Sequence, residues 1–341
     1  MFALAGREAA PFCSSTRSVC RYKHQLFGLN WPMDELPGGI RRLTFPLPMG
    51  IRHVHCYLLP GADGWTLVDT GLGLPDAPAR WEPILHEVEI TRIVVTHFHP
   101  DHAGGGEDAQ ALTGARVHQG EHDYRQCLGV WGREDWSERL ADYLEVHGLP
   151  QEAADELRPE SRTFAPFIRF ARDPELLREG DEVDGWRVLE LPGHADGHIC
   201  LERDGVLVAG DHLLGAITPT VGLYPDSRPD PLADYQASLG RTIELAPRLA
   251  LPGHGAPVAD PPARAREILE HHRRRLDATA AALSREPLSA YKVSVELFGP
   301  ELDASGRRFA LAETLAHLER LVHEGRAART GDGRGTAYTA A

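Results

Sequence analysis

The residues Thr96-His97-Phe98-His99-Pro100-Asp101-His102 follow directly on the apolar run Ile93-Val94-Val95. Three imidazoles and one carboxylate thus crowd a loop leaving what reads as a buried strand. In an extended segment His97 and His99 point the same way, because side chains alternate with period two. Pro100 then turns the chain, so Asp101 and His102 face a second point nearby. Neutral imidazole nitrogens and carboxylates are the usual donors to zinc and similar divalent ions. Four donors this close exceed what one ion takes from one loop, so the spacing predicts two metals side by side. Gly104-Gly105-Gly106 allows close backbone approach and is expected to open a helix. Such a site sits where ligands gather in α/β sheets, beyond the carboxyl ends of strands.

The same design recurs downstream. The strand-like segment 186–191 ends in Pro192-Gly193-His194-Ala195-Asp196-Gly197-His198, segment 206–209 in Gly210-Asp211-His212, and segment 249–251 in Pro252-Gly253-His254-Gly255. One glycine-rich tip bearing a His or Asp is ordinary turn chemistry; this repetition points to metal ligation. Segment 65–68 ends in Asp69-Thr70-Gly71, where Asp69 reads equally as a turn residue or as a group orienting a ligand from behind. His53 and His55 read as structural or surface residues. His198 and His212 adjoin the motifs without reading as ligands. Tyr224 follows Asp211 on a segment expected to pass the pocket mouth, where its hydroxyl could donate to an oxyanion as readily as pack in a loop.

Elements that can position these groups are legible around them. A helix over 76–90, a strand over 90–95, a helix over 106–112 and a strand over 115–118 alternate β-α-β, which predicts a layered α/β fold. Residues 121–177 are helical in pattern and read as an insert capping the site. Its Trp131, Trp136 and Tyr143 either line a substrate pocket or, as aromatics at helical spacing usually do, fill a core. Residues 1–35 show no periodicity and read as a poorly ordered lead-in. Asp260-Pro261-Pro262 marks a break. Helices over 263–285, 289–298 and 307–324, followed by two short strands within 326–338, suggest a winged-helix module over 261–341. From Arg264 onward thirteen Lys and Arg face eleven Asp and Glu, too even a balance for strong DNA affinity. The run Arg273-Arg274-Arg275 reads as a solvated helical face.

At 341 residues the chain is long enough for a large domain plus a smaller one. A net charge of −14 disfavours a general nucleic-acid binder. Five cysteines without a CxxC pair suggest reduced thiols and a cytoplasmic setting. No apolar run approaches the roughly 20 residues of a membrane span, and no continuous apolar stretch near the start reads as a secretory signal.

Taken together, the HxHxDH loop with Asp69 before it and His194, Asp211 and His254 after it resembles the metallo-β-lactamase superfamily over residues 36–260. The resemblance implies an αββα sandwich with metals at one edge. It implies a first metal on His97, His99 and His194, a second on Asp101, His102 and His254, and Asp211 bridging both. Carboxylates at Asp101 and Asp211 look like the dinuclear hydrolases rather than the true β-lactamases. The appended helices resemble the lactamase-beta-2-like branch, which includes hydrolases of uncertain substrate and an endoribonuclease. Two divalent ions, zinc first with iron or manganese as alternatives, would hold a bridging hydroxide. Asp101 is the candidate to accept its proton and pass it to the leaving group. The expected substrate is a small ester or thioester. The alternatives are a phosphodiesterase or endoribonuclease acting on single-stranded RNA, and a ligand-sensing winged-helix regulator.

Overall fold

β-branched and aromatic residues recur in four short runs between residues 41 and 95, set apart by glycine and proline, and these runs form strands for that reason. In the computed structural model, which describes residues 33–48, 50–331 and 335–341, β1 (Met33–Glu35), β2 (Arg41–Pro46), β3 (His53–Pro60) and β4 (Trp65–Val68) form an antiparallel meander. Helix α1 (Ala77–Glu87) crosses to β5 (Ile90–Val95), parallel to β4. The short α2 (Pro100–Ala103) and α3 (Gly106–Thr113) lead to β6 (Arg116–Gly120), parallel to β5. Four helices follow: α4 (Glu121–Gly129), α5 (Trp136–Val146), α6 (Gln151–Leu157) and α7 (Glu160–Phe164). β7 (Glu175–Leu177) then returns beside β6 and completes a seven-stranded sheet. The second sheet has five strands, β8 (Glu182–Val183), β9 (Trp186–Glu190), β10 (Ile199–Arg203), β11 (Val206–Gly210) and β12 (Leu249–Pro252), in the order β12-β11-β10-β9-β8. Helix α8 (Pro231–Leu245) joins β11 to the parallel β12.

Period-two alternation sorts these strands into layers. Tyr57, Leu59 and Val94 of one sheet meet Ile199, Leu201, Val206 and Val208 of the other in the inter-sheet core. Their neighbours Leu58, Ile93 and Val95 turn outward beneath Trp81 and Ile84 of α1 and Ala109 of α3. Cys200, Leu207 and Ala209 turn outward on the opposite side, beneath Leu232, Tyr235 and Leu239 of α8. The chain is therefore the expected αββα sandwich.

Three features differ from expectation. Residues 33–35, assigned to the lead-in, pair as β1 with β2; residues 1–32 lie outside the described residues. The helical insert ends in a strand, because residues 175–177 take up the free edge of β6. Helix α8 is an element that the sequence reading lacks, although Asp230 caps it by accepting the Ala233 N–H at 3.0 Å, with Pro231 in its first turn.

The C-terminal segment runs α9 (Pro261–Ala282), β13 (Leu288–Ser289), α10 (Ala290–Phe298), α11 (Ala304–His323), β14 (Ala327–Gly331) and β15 (Thr336–Ala340), with sheet order β13-β15-β14. Residues 332–334, between β14 and β15, lie outside the described residues. Leu311, Leu315, Leu318 and Leu321 of α11 are fully buried in one core with Leu140, Leu144 and Leu157 of the insert. Each such leucine contributes about 1.5–3 kcal/mol by leaving water. Arg308 pairs with Glu160 of α7, and the Leu223 N–H donates to Ala312 O at 3.0 Å. Arg273 and Arg274 are exposed, whereas Arg275 folds over the Phe298 ring. Among the described residues no helix is long and apolar enough to cross a membrane. Cys56, Cys127 and Cys200 are buried free thiols; Cys13 and Cys20 lie outside the described residues.

Two imidazoles lie inside this C-terminal core. The His317 Nδ1–H donates to Glu313 O at 2.8 Å, so its Nε2 accepts from His272 Nδ1 at 3.2 Å. Burial lowers both pKa values, and for His272 the neighbouring His317 adds to the effect. The unfolded chain takes up a proton at each imidazole below about pH 6.5. The folded state resists that uptake, so stability is full above this value and falls as acid is added. Each histidine held neutral should remove about 2 kcal/mol by pH 5. Urea unfolding at pH 7.5 and 5 should show this loss. A His272→Phe/His317→Leu double variant should have a shallower acid limb, and an unchanged limb would contradict the assignment.

Candidate metal centre

Every expected donor stands where the chain leaves the carboxyl end of a strand. The loop after β5 and the start of α2 carry His97, His99, Asp101 and His102; β9 leads to His194, β11 to Asp211 and β12 to His254. The structure brings all of them together. Donor atoms of His97, His99 and His194 lie within 4.8 Å of one another, as do those of Asp101, His102 and His254, and those of His97, His102 and Asp211. Asp211 stands between the two triads. Its Oδ2 is 3.7 Å from His194 Nε2 and 3.2 Å from His254 Nε2, and its Oδ1 is 3.5 Å from His102 Nε2.

Hydrogen bonds behind the rings settle which nitrogen faces inward. Thr96 Oγ1 donates to Asp69 Oδ2 at 2.9 Å, so it accepts the His97 Nδ1–H at 3.0 Å. The His102 Nδ1–H donates to Asp69 Oδ2 at 2.7 Å, His194 Nδ1–H to Thr220 O at 2.8 Å, and His254 Nδ1–H to His53 O at 2.6 Å. Each ring therefore aims its Nε2 at the cluster. The buried Nε2 atoms of His97 and His194 and Oδ1 of Asp211 find no hydrogen-bond partner among the described residues. Orphaned donor atoms converging in a buried spot are what divalent cations require, so the residues fit such ions.

The electrostatics agree. Burial and the neighbouring imidazoles hold His97 and His99 below the usual imidazole range. Burial opposes protonation of His102 and His254 too, but Asp211 and the other carboxylates outweigh it and raise both. Against the same burial, the histidines around them hold Asp101 and Asp211 below the usual carboxylate range. The pocket thus carries ionised carboxylates that call for compensating positive charge.

Asp69 is the pivot behind the ligands. Its backbone lies in the left-handed region (φ 62°), and it is 2% exposed. Its carboxylate accepts three hydrogen bonds, from the Thr96 N–H at 2.8 Å, the Thr96 hydroxyl and His102. Both halves of the ligand loop are fixed by one side chain.

The other residues singled out take up varied places around this cluster. His53 and His55 do more than fill the surface: His53 Nε2 accepts the Gly255 N–H at 3.1 Å, and His55 Nε2 donates to Gly255 O at 2.9 Å. Together they clamp the peptide groups beside His254. His198 is no member of the donor triads; its Nε2 accepts the Asp211 N–H at 3.1 Å, and its ring stacks on His97. His212 is occupied with Thr242. Trp131 touches the ligand loop, its ring stacked on Phe98 and against Trp136. Tyr143 packs against His147 in the core shared with α11. Tyr224 is half-buried, and its hydroxyl has no hydrogen-bond partner among the described residues; burial pushes its phenol up to about 12.

The profile of the metallo-beta-lactamase superfamily matches residues 49–254, and that of the metallo-beta-lactamase-like C-terminal domain matches residues 276–338. The chain belongs to the metallo-β-lactamase superfamily. It is similar to a metallo-beta-lactamase family protein from Thermus thermophilus, at 38% identity and a TM-score of 0.76, covering 90% of this chain and 99% of that one. The probable metallo-hydrolase YqjP of Bacillus subtilis is 30% identical over 83% of this chain and 92% of its own length. A Claviceps purpurea protein named atrochrysone carboxyl ACP thioesterase is 26% identical over 87% of this chain and 86% of its own. As a member of the metallo-β-lactamase superfamily the chain is a metal-dependent hydrolase.

Replacing the pivot tests this centre. In Asp69→Asn one carboxylate oxygen becomes an N–H donor, which opposes the Thr96 N–H if it replaces Oδ1 and both the His102 N–H and the Thr96 hydroxyl if it replaces Oδ2. Where it faces His102, the ring must move its proton to Nε2 and lose its inward lone pair. Metal affinity should fall about 10–100-fold with secondary structure intact. Competition with a chromophoric chelator measures it; unchanged affinity would remove Asp69 from this role.

Proposed function

We propose that the chain is a dinuclear metallo-hydrolase of small thioesters or esters. The observation that carries this reading is the Asp211 carboxylate placed between two triads whose donor nitrogens point at it. His97, His99 and His194 would hold one ion, Asp101, His102 and His254 the other, and Asp211 both. Ions bound there, zinc by preference, would supply an acidified water and positive charge opposite a developing oxyanion.

The chain's own groups do the rest. Asp101, kept ionised by His102 and His254, accepts the proton released by the attacking water and returns it to the departing thiol or alcohol. The hydroxyl of Tyr224 is proposed to donate to the substrate's carbonyl oxygen. The thioester preference rests on the acidic chain, which disfavours polynucleotides, and on the activity carried in the name of the Claviceps purpurea relative. We further read the order helix, strand, two helices and a hairpin from α9 to β15 as a winged helix. Here it serves to wall the cleft, since α11 binds the loop leading to Tyr224 through Leu223.

Purified protein should contain close to two transition ions per chain by elemental analysis. It should hydrolyse members of a panel of acyl-CoA, acyl-glutathione and aryl ester substrates, with activity lost to EDTA. His194→Ala and Asp211→Asn should each lower kcat/KM by at least about 100-fold, beyond the loss usual for an outer residue. Tyr224→Phe should cost about 100-fold, mostly in kcat. EDTA-sensitive cleavage of single-stranded RNA without acyl turnover would overturn the substrate class.

A further inference from the structure

The insert reaches into the ligand loop at one residue. Phe98 lies between His97 and His99, and both of its peptide groups are held by side chains from the insert. Its N–H donates to Asp123 Oδ1 at 2.8 Å, and its C=O accepts the Trp131 indole N–H at 2.6 Å. The Phe98 and Trp131 rings are stacked with centroids 5.8 Å apart. The orientation of both adjacent imidazoles depends on the dihedral angles at this residue.

Asp123 is an ordinary residue type for the first turn of α4 in an unusual setting. It is fully buried, and among the described residues no cation lies within ion-pair distance. Its other oxygen accepts the Gln119 side-chain N–H at 2.6 Å. Burial pushes its carboxyl well above the usual carboxylate range, and a buried polar group costs a few kcal/mol unless it is hydrogen-bonded, so packing alone would favour an apolar side chain here. The same turn also presses on the loop carrying His194. A Cβ placed on Gly197 would lie 2.1 Å from Asp123 N and 2.5 Å from its Cα. Asp123 is thus wedged between the loops that supply His97, His99 and His194.

We propose that Asp123, assisted by Trp131, is a positioning residue that fixes Phe98 so that His97 and His99 converge with His194 on one ion. This rests on the dinuclear reading above. The insert thereby acts on the first ion's triad and leaves Asp101, His102 and His254 to the sandwich.

Cobalt(II) alone is the probe, titrated into the metal-free full chain and followed by its d–d absorption. Wild type should take up two ions. Asp123→Ala should weaken one of them about 10–100-fold and leave the other unchanged. Asp123→Asn keeps an acceptor for the Phe98 N–H and should restore binding to within a few-fold. Trp131→Phe keeps a ring against Phe98 but removes the indole N–H, and should weaken the same ion by a smaller factor. If Asp123→Ala does not fold, Trp131→Phe decides the matter. Folded variants that bind both ions as wild type does, or that weaken both equally, overturn the proposal. Should wild type bind a single ion, the dinuclear reading falls. Positioning then stands if the variants weaken that ion and fails if they do not.

Discussion

A neutral imidazole has one lone pair to give, and a partner on the far side of the ring decides which nitrogen gives it. This centre depends on that constraint. His97, His102, His194 and His254 each tie Nδ1 to a different acceptor: Thr96, Asp69, Thr220 and His53. Those acceptors come from the first sheet with its ligand loop and from the loop after β11. The sheets must therefore keep their register for the donors to converge. Their contact at this edge is secured by the His55 N–H donating to Gly253 O at 2.7 Å and the Tyr57 hydroxyl donating to Pro252 O at 2.6 Å.

The charge balance follows from the same arrangement. Asp69, Asp101 and Asp211 are brought together within a chain that is already acidic. Without a cation, protons on His102 and His254 compensate, which is why these two imidazoles are raised while His97 and His99 are lowered. Metal and protons therefore compete for the same lone pairs. The fold supplies a negative, desolvated and geometrically fixed set of donors that either species can neutralise.

What can be read in advance is what is local. The spacing of His97, His99, Asp101 and His102 is short, and the tips at His194, Asp211 and His254 repeat one strand-to-turn pattern. The α11 stripe of Leu311, Leu315, Leu318 and Leu321 announces a buried helix face. What escapes such reading depends on chain segments meeting from afar. His53 and His55 reach Gly255 from 202 and 200 positions away, and nothing about two histidines on a strand says which loop they will clamp. Asp123 reads as an ordinary first-turn acid. β7 is three residues long, and its identity comes from the edge of β6 rather than from its own pattern. Helix α8 is legible in Asp230-Pro231 and in the spacing of Leu232, Tyr235 and Leu239, but the prolines and aspartates before it give the stretch the look of a loop.

The bond between Leu223 and Ala312 bears on how such a protein can diversify. The C-terminal segment is not a bead on a string: α11 buries its leucines against the insert, pairs Arg308 with Glu160, and anchors the strip of backbone that leads to Tyr224. A lineage that exchanged this segment for another would expose an oily helix bed on the insert and free the backbone at Leu223 in the same event. Substitutions in α11 are therefore constrained by the insert and by the loop after β11 as well as by the packing of the C-terminal segment itself.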